Sequence, residues 1–305
     1  MNSRYDAVLL IGFGGPTGAD EVRPFLNQVL SGRPVVRDRY EEVVRHYELM
    51  GGRSPYNEHV EKQAAALRAQ LRGRKAEIPV YVGMRNWAPH LAQAVAEIAL
   101  SGARRVLGFV LAPHRCEASW DRYVASVDEA IQKTGARELR IDYPSLWHDD
   151  PLFIEAWSER VRASIARLDE LGQSRAEIVF TAHSIPVAMA KESRYVEQLN
   201  ESSRLVAQAL NWNDWSISYQ SRSGDGREPW LGPELAEVLK TIGRPAIVAP
   251  IGFVCDHVEV LYDLDVEAAM VARKSGIAMV RAHTVGDHPK FIEMIASMVT
   301  SAKTD

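Results

Sequence analysis

Residues Ile178-Val179-Phe180-Thr181-Ala182 run apolar up to His183-Ser184-Ile185-Pro186, where polar and turn-forming residues take over. A short run of this kind suits a strand buried on both faces, and Pro186 starts the next turn. Similar runs recur at Ala7–Phe13, Val80–Met84, Val106–Ala112, Ile217–Gln220, Ala246–Phe253 and Ile277–Arg281. Between them lie His59–Leu71, Leu91–Leu100, Phe153–Leu168 and Val258–Val271, where apolar residues recur at helical spacings of three and four. This alternation predicts an α/β fold of mostly parallel sheets covered by helices.

A chain of 305 residues suits two lobes of about 150 residues better than one core. The crossover is placed at Glu138–Trp147, after the polar turn Thr134–Gly135 and beside Pro144 and Pro151. The expected lobes are therefore 1–140 and 141–285, with 286–305 holding a final helix, Pro289–Val299, that packs back on either.

Hydrophobic residues make up 46% and charged residues 25%, the balance of a soluble globular protein. A formal charge of -4 offers no cationic field for a nucleic acid. Only Cys116 and Cys255 are present, far apart, which excludes a disulfide framework or a thiolate zinc site and fits a reducing cytoplasm. The apolar stretches Val106–Ala112 and Ala246–Cys255 fall short of a membrane span, and the start of the chain reads as a first strand rather than a secretory signal.

Ligands of open parallel sheets bind beyond the carboxyl ends of the strands. Here those ends are followed by Gly12-Phe13-Gly14-Gly15-Pro16, Met84-Arg85-Asn86-Trp87, Pro113-His114-Arg115, His183-Ser184, Gln220-Ser221-Arg222 and Phe253-Val254-Cys255-Asp256-His257. The first group invites a dinucleotide reading, but Thr17 stands where a third glycine is required and Pro16 stiffens the loop. A tight strand-to-helix turn explains it better.

His183, at a strand end, can ligate a borderline metal ion or accept a proton near neutral pH, or simply bond to backbone. Glu259, Asp263 and Glu267 stand four apart and would form a row of carboxylates on one helical face, able to pass a dication or protons along it. The same stretch also reads as a capping box, Asp256-x-x-Glu259. Spacing does not decide between the two.

Several runs together resemble the ferrochelatase family. They are Leu9-Leu10-Ile11-Gly12-Phe13-Gly14-Gly15-Pro16, Tyr47-Glu48-Leu49-Met50-Gly51-Gly52-Arg53-Ser54-Pro55, Thr181-Ala182-His183-Ser184-Ile185-Pro186 and Tyr219-Gln220-Ser221 with Trp230-Leu231-Gly232-Pro233. The most specific is Pro250-Ile251-Gly252-Phe253-Val254-Cys255-Asp256-His257-Val258-Glu259-Val260-Leu261-Tyr262-Asp263. The resemblance covers essentially the whole chain. It implies two Rossmann-like lobes of the type II chelatase kind around a porphyrin cleft, with His183 and Glu259 facing each other across the macrocycle and Asp263 and Glu267 leading outward.

It also implies that Ser54, Tyr123 and, more weakly, Tyr47 contact the porphyrin carboxylates. Phe13 occupies a position where many bacterial relatives carry a tyrosine that ligates the product iron, which a phenyl ring cannot do. An iron–sulfur cluster, found in some relatives, needs four ligands, and two cysteines cannot supply them. Ferrous iron is then the substrate metal, with no nucleotide cofactor, and other enzymes of the haem pathway are possible partners.

The expected reaction is insertion of Fe2+ into a porphyrin, with coproporphyrin III favoured over protoporphyrin IX. The sequence lacks an amphipathic extension, and Ser31–Glu58 carries Arg33, Arg37, Arg39, Arg45, His46 and Arg53, cations suited to propionates. Against this, a tight pair of arginines often seen just before Gly32 is replaced by Leu30 and Ser31. The rivals are a cobalt or nickel chelatase, for which His257 would supply a second histidine, and a haem-binding or haem-transfer protein without catalysis.

Overall fold

The computed structural model describes residues 4–30, 37–223 and 228–301. Among them are two parallel four-stranded sheets. The first comprises β1 (Ala7–Gly12), β2 (Val80–Met84), β3 (Arg105–Val110) and β4 (Arg140–Asp142), in the order β2-β1-β3-β4. The second comprises β5 (Glu177–His183), β6 (Trp215–Gln220), β7 (Ala246–Ala249) and β8 (Met279–Arg281), in the order β6-β5-β7-β8. The two halves thus share one strand order although their residues do not visibly align.

Helices cover both faces, as the unbroken apolar character of the central strands requires. All six residues of β1 are buried, as are the inner five of β5. The strands at the outer edges are less legible. β4 has one exposed and two half-buried residues, so no apolar run announces it, and it lies inside the expected crossover Glu138–Trp147. The first sheet therefore reaches Asp142, two residues past the boundary expected at residue 140. β7 stops at Ala249 rather than Phe253, because Pro250 has no N–H for the ladder and a turn begins there.

Two further differences concern helices. Arg37–Leu49 is a helix that the sequence reading passed over, since Val44 is its one buried residue among mostly polar ones. Val258–Val271 is helical as expected but not uniform: Val258–Leu261 and Ala269–Lys274 are α-helical, and Tyr262–Ala268 between them is π-helical.

An aromatic cluster joins the halves. Trp147, in the crossover, lies 5.1 Å from Phe109 of β3, 5.2 Å from Phe153 and 5.8 Å from Phe291, ring centre to ring centre. Phe291 belongs to the last helix, Pro289–Thr300, which packs on Tyr56–Gly73 of the first half and Pro151–Glu170 of the second. Gln63, fully buried, donates from its amide to the Gly286 carbonyl at 2.9 Å, a second tie between halves.

Candidate active site

In each sheet the strand order reverses beside the first strand of that half, at β1/β3 and at β5/β7. The carboxyl ends of strands at such a point open a crevice, because the following connections leave in opposite directions. His183 is the last residue of β5. The Tyr195 hydroxyl donates to the His183 carbonyl at 3.0 Å, and ring nitrogen Nδ1 is hydrogen-bonded to the Ser184 carbonyl. With Nδ1 held there, Nε2 points at Glu259, 3.4 Å from Oε1.

Glu259 reaches this place through the turn after β7. Gly252 donates its N–H to the Thr181 carbonyl at 3.0 Å, and its backbone crosses so close to β5 that a Cβ would stand 2.6 Å from the Cβ of Ala182. Only glycine fits that crossing. His257 then occupies the N-cap with extended backbone and no side-chain cap, and the helix starts at Val258. The capping-box alternative therefore falls: Asp256 does not cap but is engaged by Arg281, at 3.1 Å from Nη1.

The carboxylate row follows. In an α-helix, four residues overshoot one turn by about 40°, so a row spaced by four drifts around the axis. The π-helical stretch Tyr262–Ala268 closes i to i+5 bonds, winds more widely and reduces that drift. Asp263 accepts a hydrogen bond from the Ser221 hydroxyl, which follows β6, and so is tied to the same crevice. Glu267 is exposed, at the outer end of the row.

Charges within the row act on one another. Burial works against an imidazolium at His183, but the Glu259 carboxylate, with the Ser184 carbonyl, outweighs it and raises the group to about 9. Burial likewise works against the Glu259 carboxylate, and His183 overrides it, holding Glu259 well below the usual range. Among the described residues no cation forms an ion pair with Asp263. Burial first and the Glu259 charge second push it up to about 7, against the pull of Ser221. Burial and then Glu42 raise Glu267 as well, and burial keeps His257 below the ordinary histidine value.

The remaining expected contacts are placed unevenly. Phe13 is half-buried beside Phe25, 6.2 Å away, and Phe25 in turn lies 6.0 Å from both Tyr47 and Trp87. Tyr47 also stands near enough to Glu259 for that charge, after burial, to raise its hydroxyl. Ser54 is buried, and its hydroxyl accepts the Tyr56 N–H at 3.3 Å. Tyr123 is buried in the first lobe with Arg85 5.8 Å from its ring centre.

The glycine loop is occupied by structure. Its Phe13, Gly15 and Thr17 N–H groups donate to Tyr56, Asn57 and Glu21, and a Cβ at Gly12 would meet the Met84 sulfur at 2.7 Å. Of the cationic stretch, Arg37, Arg45 and Arg53 are exposed, and Arg39 bonds Glu42 at 2.8 Å. Arg33 lies outside the described residues.

Sequence reasoning missed two features. His46 stacks on Tyr262 at 3.7 Å, joining the helix Arg37–Leu49 to the π-helical stretch. Arg281 grips that stretch from β8. Neither partner carries a local signal, because both contacts join segments more than fifteen positions apart in the chain.

Two linked parallel-sheet lobes with a histidine and a carboxylate row at the switch point are the arrangement of a type II chelatase. The solved structures agree on the fold: the sirohydrochlorin chelatase SirB of Bacillus subtilis subspecies spizizenii aligns with a TM-score of 0.58 at 12% identity, over 96% of this chain and 93% of that one. CbiX, the terminal enzyme of sirohaem biosynthesis in denitrifying bacteria, aligns with 0.55 at 16% identity, over 98% of this chain and 100% of that one.

The sequence then fixes the family. The profile of the family described as Ferrochelatase matches residues 5–303. The ferrochelatase of Rhodopirellula baltica is 39% identical over 97% of this chain and 85% of its own length. The coproporphyrin III ferrochelatase of Frankia alni is 38% identical over 98% and 80%, and that of Streptomyces griseus 38% over 97% and 84%. The chain belongs to the ferrochelatase family, enzymes that insert iron into a porphyrin in the making of haem.

Proposed function

We propose that the protein is a cytoplasmic coproporphyrin III ferrochelatase, with its insertion centre at His183 and Glu259. The observation that carries the reading is the direct pairing of these two groups at the switch point, 3.4 Å apart. The overall reaction breaks two pyrrole N–H bonds, forms four iron–nitrogen bonds and releases two protons.

A flat macrocycle needs about 3.5–4 Å to each neighbouring face. His183 and Glu259 must therefore stand about twice that distance apart when it enters, and the bound porphyrin takes the place of their ion pair. Once separated from Glu259, a histidine in this largely enclosed position loses what held its proton, and burial then favours the neutral ring. Neutral His183 accepts pyrrole protons on one face while Glu259 delivers ferrous iron on the other, supplied along Asp263 and Glu267.

One observation favours a second division of labour. A carboxyl poised near 7, as at Asp263, exchanges protons readily at neutral pH, so the row can carry protons out while His183 receives the metal. An Asp263→Asn variant separates the two. Under the first reading it raises the KM for iron, with a fall in kcat smaller than that of Glu259→Gln and no shift in its pH profile, and under the second it moves the pH profile of kcat.

Support for coproporphyrin comes from the names of the relatives and from the exposed arginines Arg37, Arg45 and Arg53. We read the enzyme as free of an iron–sulfur cluster, having two cysteines, and of any nucleotide. The two lobes are taken as 1–140 and 141–285 with the tail 286–305 packed back on them, and among the described residues no helix is long and apolar enough to cross a membrane.

Anaerobic incubation of the metal-free protein with porphyrin and Fe2+, Co2+ or Zn2+ tests the proposal. The free-base spectrum is expected to disappear fastest with Fe2+ and coproporphyrin III. A protein that binds porphyrin without consuming the free base would be a carrier, and a preference for Co2+ would place it with the cobalt chelatases.

A further inference from the structure

Arg281, the last residue of β8, has a side chain 8% exposed. Its guanidinium touches the metal-site segment at two separated points. Nη1 and Nη2 donate to the two oxygens of Asp256, at 3.1 and 3.4 Å, and Nε donates to Asp265 Oδ1 at 2.7 Å. A further bond from Nη1 to the Ala282 carbonyl, at 3.3 Å, ties the group to its own strand end. Asp256 precedes the helix and Asp265 lies within the π-helical stretch, so Glu259 and Asp263 both fall between the two anchors.

π-Helical turns are rare because their hydrogen-bond geometry gains little by itself, and they persist where something else holds them. A guanidinium is a planar fork whose donors keep fixed angles, so one that bonds two carboxylates also fixes how far apart they stand. A lysine has one nitrogen on a flexible stem and cannot do this. Here the fork spans from Asp256 to Asp265.

We propose that Arg281 is a positioning residue: through Asp256 and Asp265 it holds the segment between them in its wide winding, and thereby keeps Glu259 and Asp263 aligned with His183. The inference rests on the reading of that row as the metal-insertion site. It adds a requirement that spacing alone does not contain, since the row depends on a strand end outside it.

Asp265→Ala is the decisive variant, because this carboxylate is 41% exposed and its removal takes away the acceptor for Arg281 Nε while leaving the Asp256 anchor intact. The expected result is a melting temperature close to the parent's, faster amide exchange confined to residues 258–268, and kcat for iron insertion lower by about tenfold with KM for coproporphyrin III unchanged, the cost of a small misplacement. Asp265→Glu, which keeps an acceptor, is expected to recover most of the rate. Arg281→Lys should reproduce the loss, and the double variant with Asp265→Ala should be no slower than the slower single one.

Parent-like exchange and kcat in Asp265→Ala would overturn the clamp. So would a fall in kcat accompanied by a lower melting temperature and faster exchange throughout the protein. Exchange is measured without substrate, so it judges the clamp even if the parent protein itself inserts no metal, an outcome that would count against the proposed function alone.

Discussion

His183 Nε2 and Glu259 Oε1 stand 3.4 Å apart, joining the end of β5 to the helix that follows β7. The expectation was of two groups facing each other across a macrocycle. In the structure they meet directly, because opposite charges withdrawn from water attract strongly. The pair therefore joins the two elements that flank the switch point of the second sheet.

His183→Ala is expected to abolish iron insertion while leaving the circular dichroism spectrum unchanged, since the residue closes a strand at a partly open edge rather than filling a core. Glu259→Gln should lower kcat at saturating iron by at least a hundredfold, Asp263→Asn by less, and Glu267→Gln least, following the row outward. Near-normal turnover of His183→Ala would remove the centre of the proposal. Equal, small effects at all three acids would show that the row plays no part in the chemistry.

Asp263 predicts a pH effect on stability. Its folded value, about 7, lies above the carboxylate's ordinary 3.8, so between these values the folded protein binds more protons than the unfolded chain. Stability linked to Asp263 is thus fully present below about pH 4 and is lost as pH rises toward 7. Asp263→Asn keeps an acceptor for Ser221 and removes the titration. Thermal melting of the metal-free variant should therefore exceed the parent's above pH 7, and the difference should shrink toward pH 4. A variant less stable than the parent at pH 8 would contradict this.

Gly252 offers a structural test of the same site. A methyl group there would press on Ala182, whose Cβ lies 2.6 Å from its place, and the clash is with backbone-anchored atoms that cannot swing aside. Gly252→Ala should cost about 1–3 kcal/mol of stability in denaturant unfolding. Because the crossing sets how near the helix of Glu259 approaches β5, turnover should fall even at temperatures where the variant stays folded. Full activity would mean that the crossing can shift without disturbing the pair.

The fold was legible where burial was complete. Val80–Met84 and Leu91–Leu100 match the expected elements to the residue, because a doubly covered strand and an amphipathic helix both write their surroundings into their composition. β4 and the helix Arg37–Leu49 were not legible, since their side chains face mostly solvent. His183 stood out by its place at a strand end and Glu259 by its spacing from Asp263 and Glu267, but neither feature decided a role, and the pairing of the two came from family likeness. The winding of Tyr262–Ala268 was not legible, because Arg281, which grips it, sits sixteen positions from Asp265 and looks like any strand-end arginine. Ser54 and Tyr123 came from family likeness, and both are buried, with Ser54 capping its own turn.

The last prediction concerns which porphyrin is taken. Coproporphyrin III has four propionates, whereas protoporphyrin IX has two propionates and two vinyl groups, so the choice depends on what the rim of the cleft offers. The helix Arg37–Leu49 is joined to the carboxylate row by the stacking of His46 on Tyr262, which puts its arginines beside the cleft. Arg45 is exposed there, and Arg53, on the loop that follows, reaches Glu58 only at 3.5 Å. Surface ion pairs of that kind are worth little, roughly 0–1 kcal/mol, whereas a propionate held by an arginine fork gains charge-assisted hydrogen bonds of about 1.5–3 kcal/mol. An incoming propionate can thus displace the local acid. The expected outcome is a kcat/KM for coproporphyrin III at least tenfold above that for detergent-dispersed protoporphyrin IX on the same preparation. Arg45→Ala should raise the KM for coproporphyrin about threefold to tenfold and leave kcat nearly unchanged, because the contact lies far from the reacting nitrogens and binds ground and transition states alike. A higher kcat/KM for protoporphyrin IX would reverse the assignment and turn attention from the arginines to the aromatic group of Phe13, Phe25, Tyr47 and Trp87 as the surface that receives the vinyl edge.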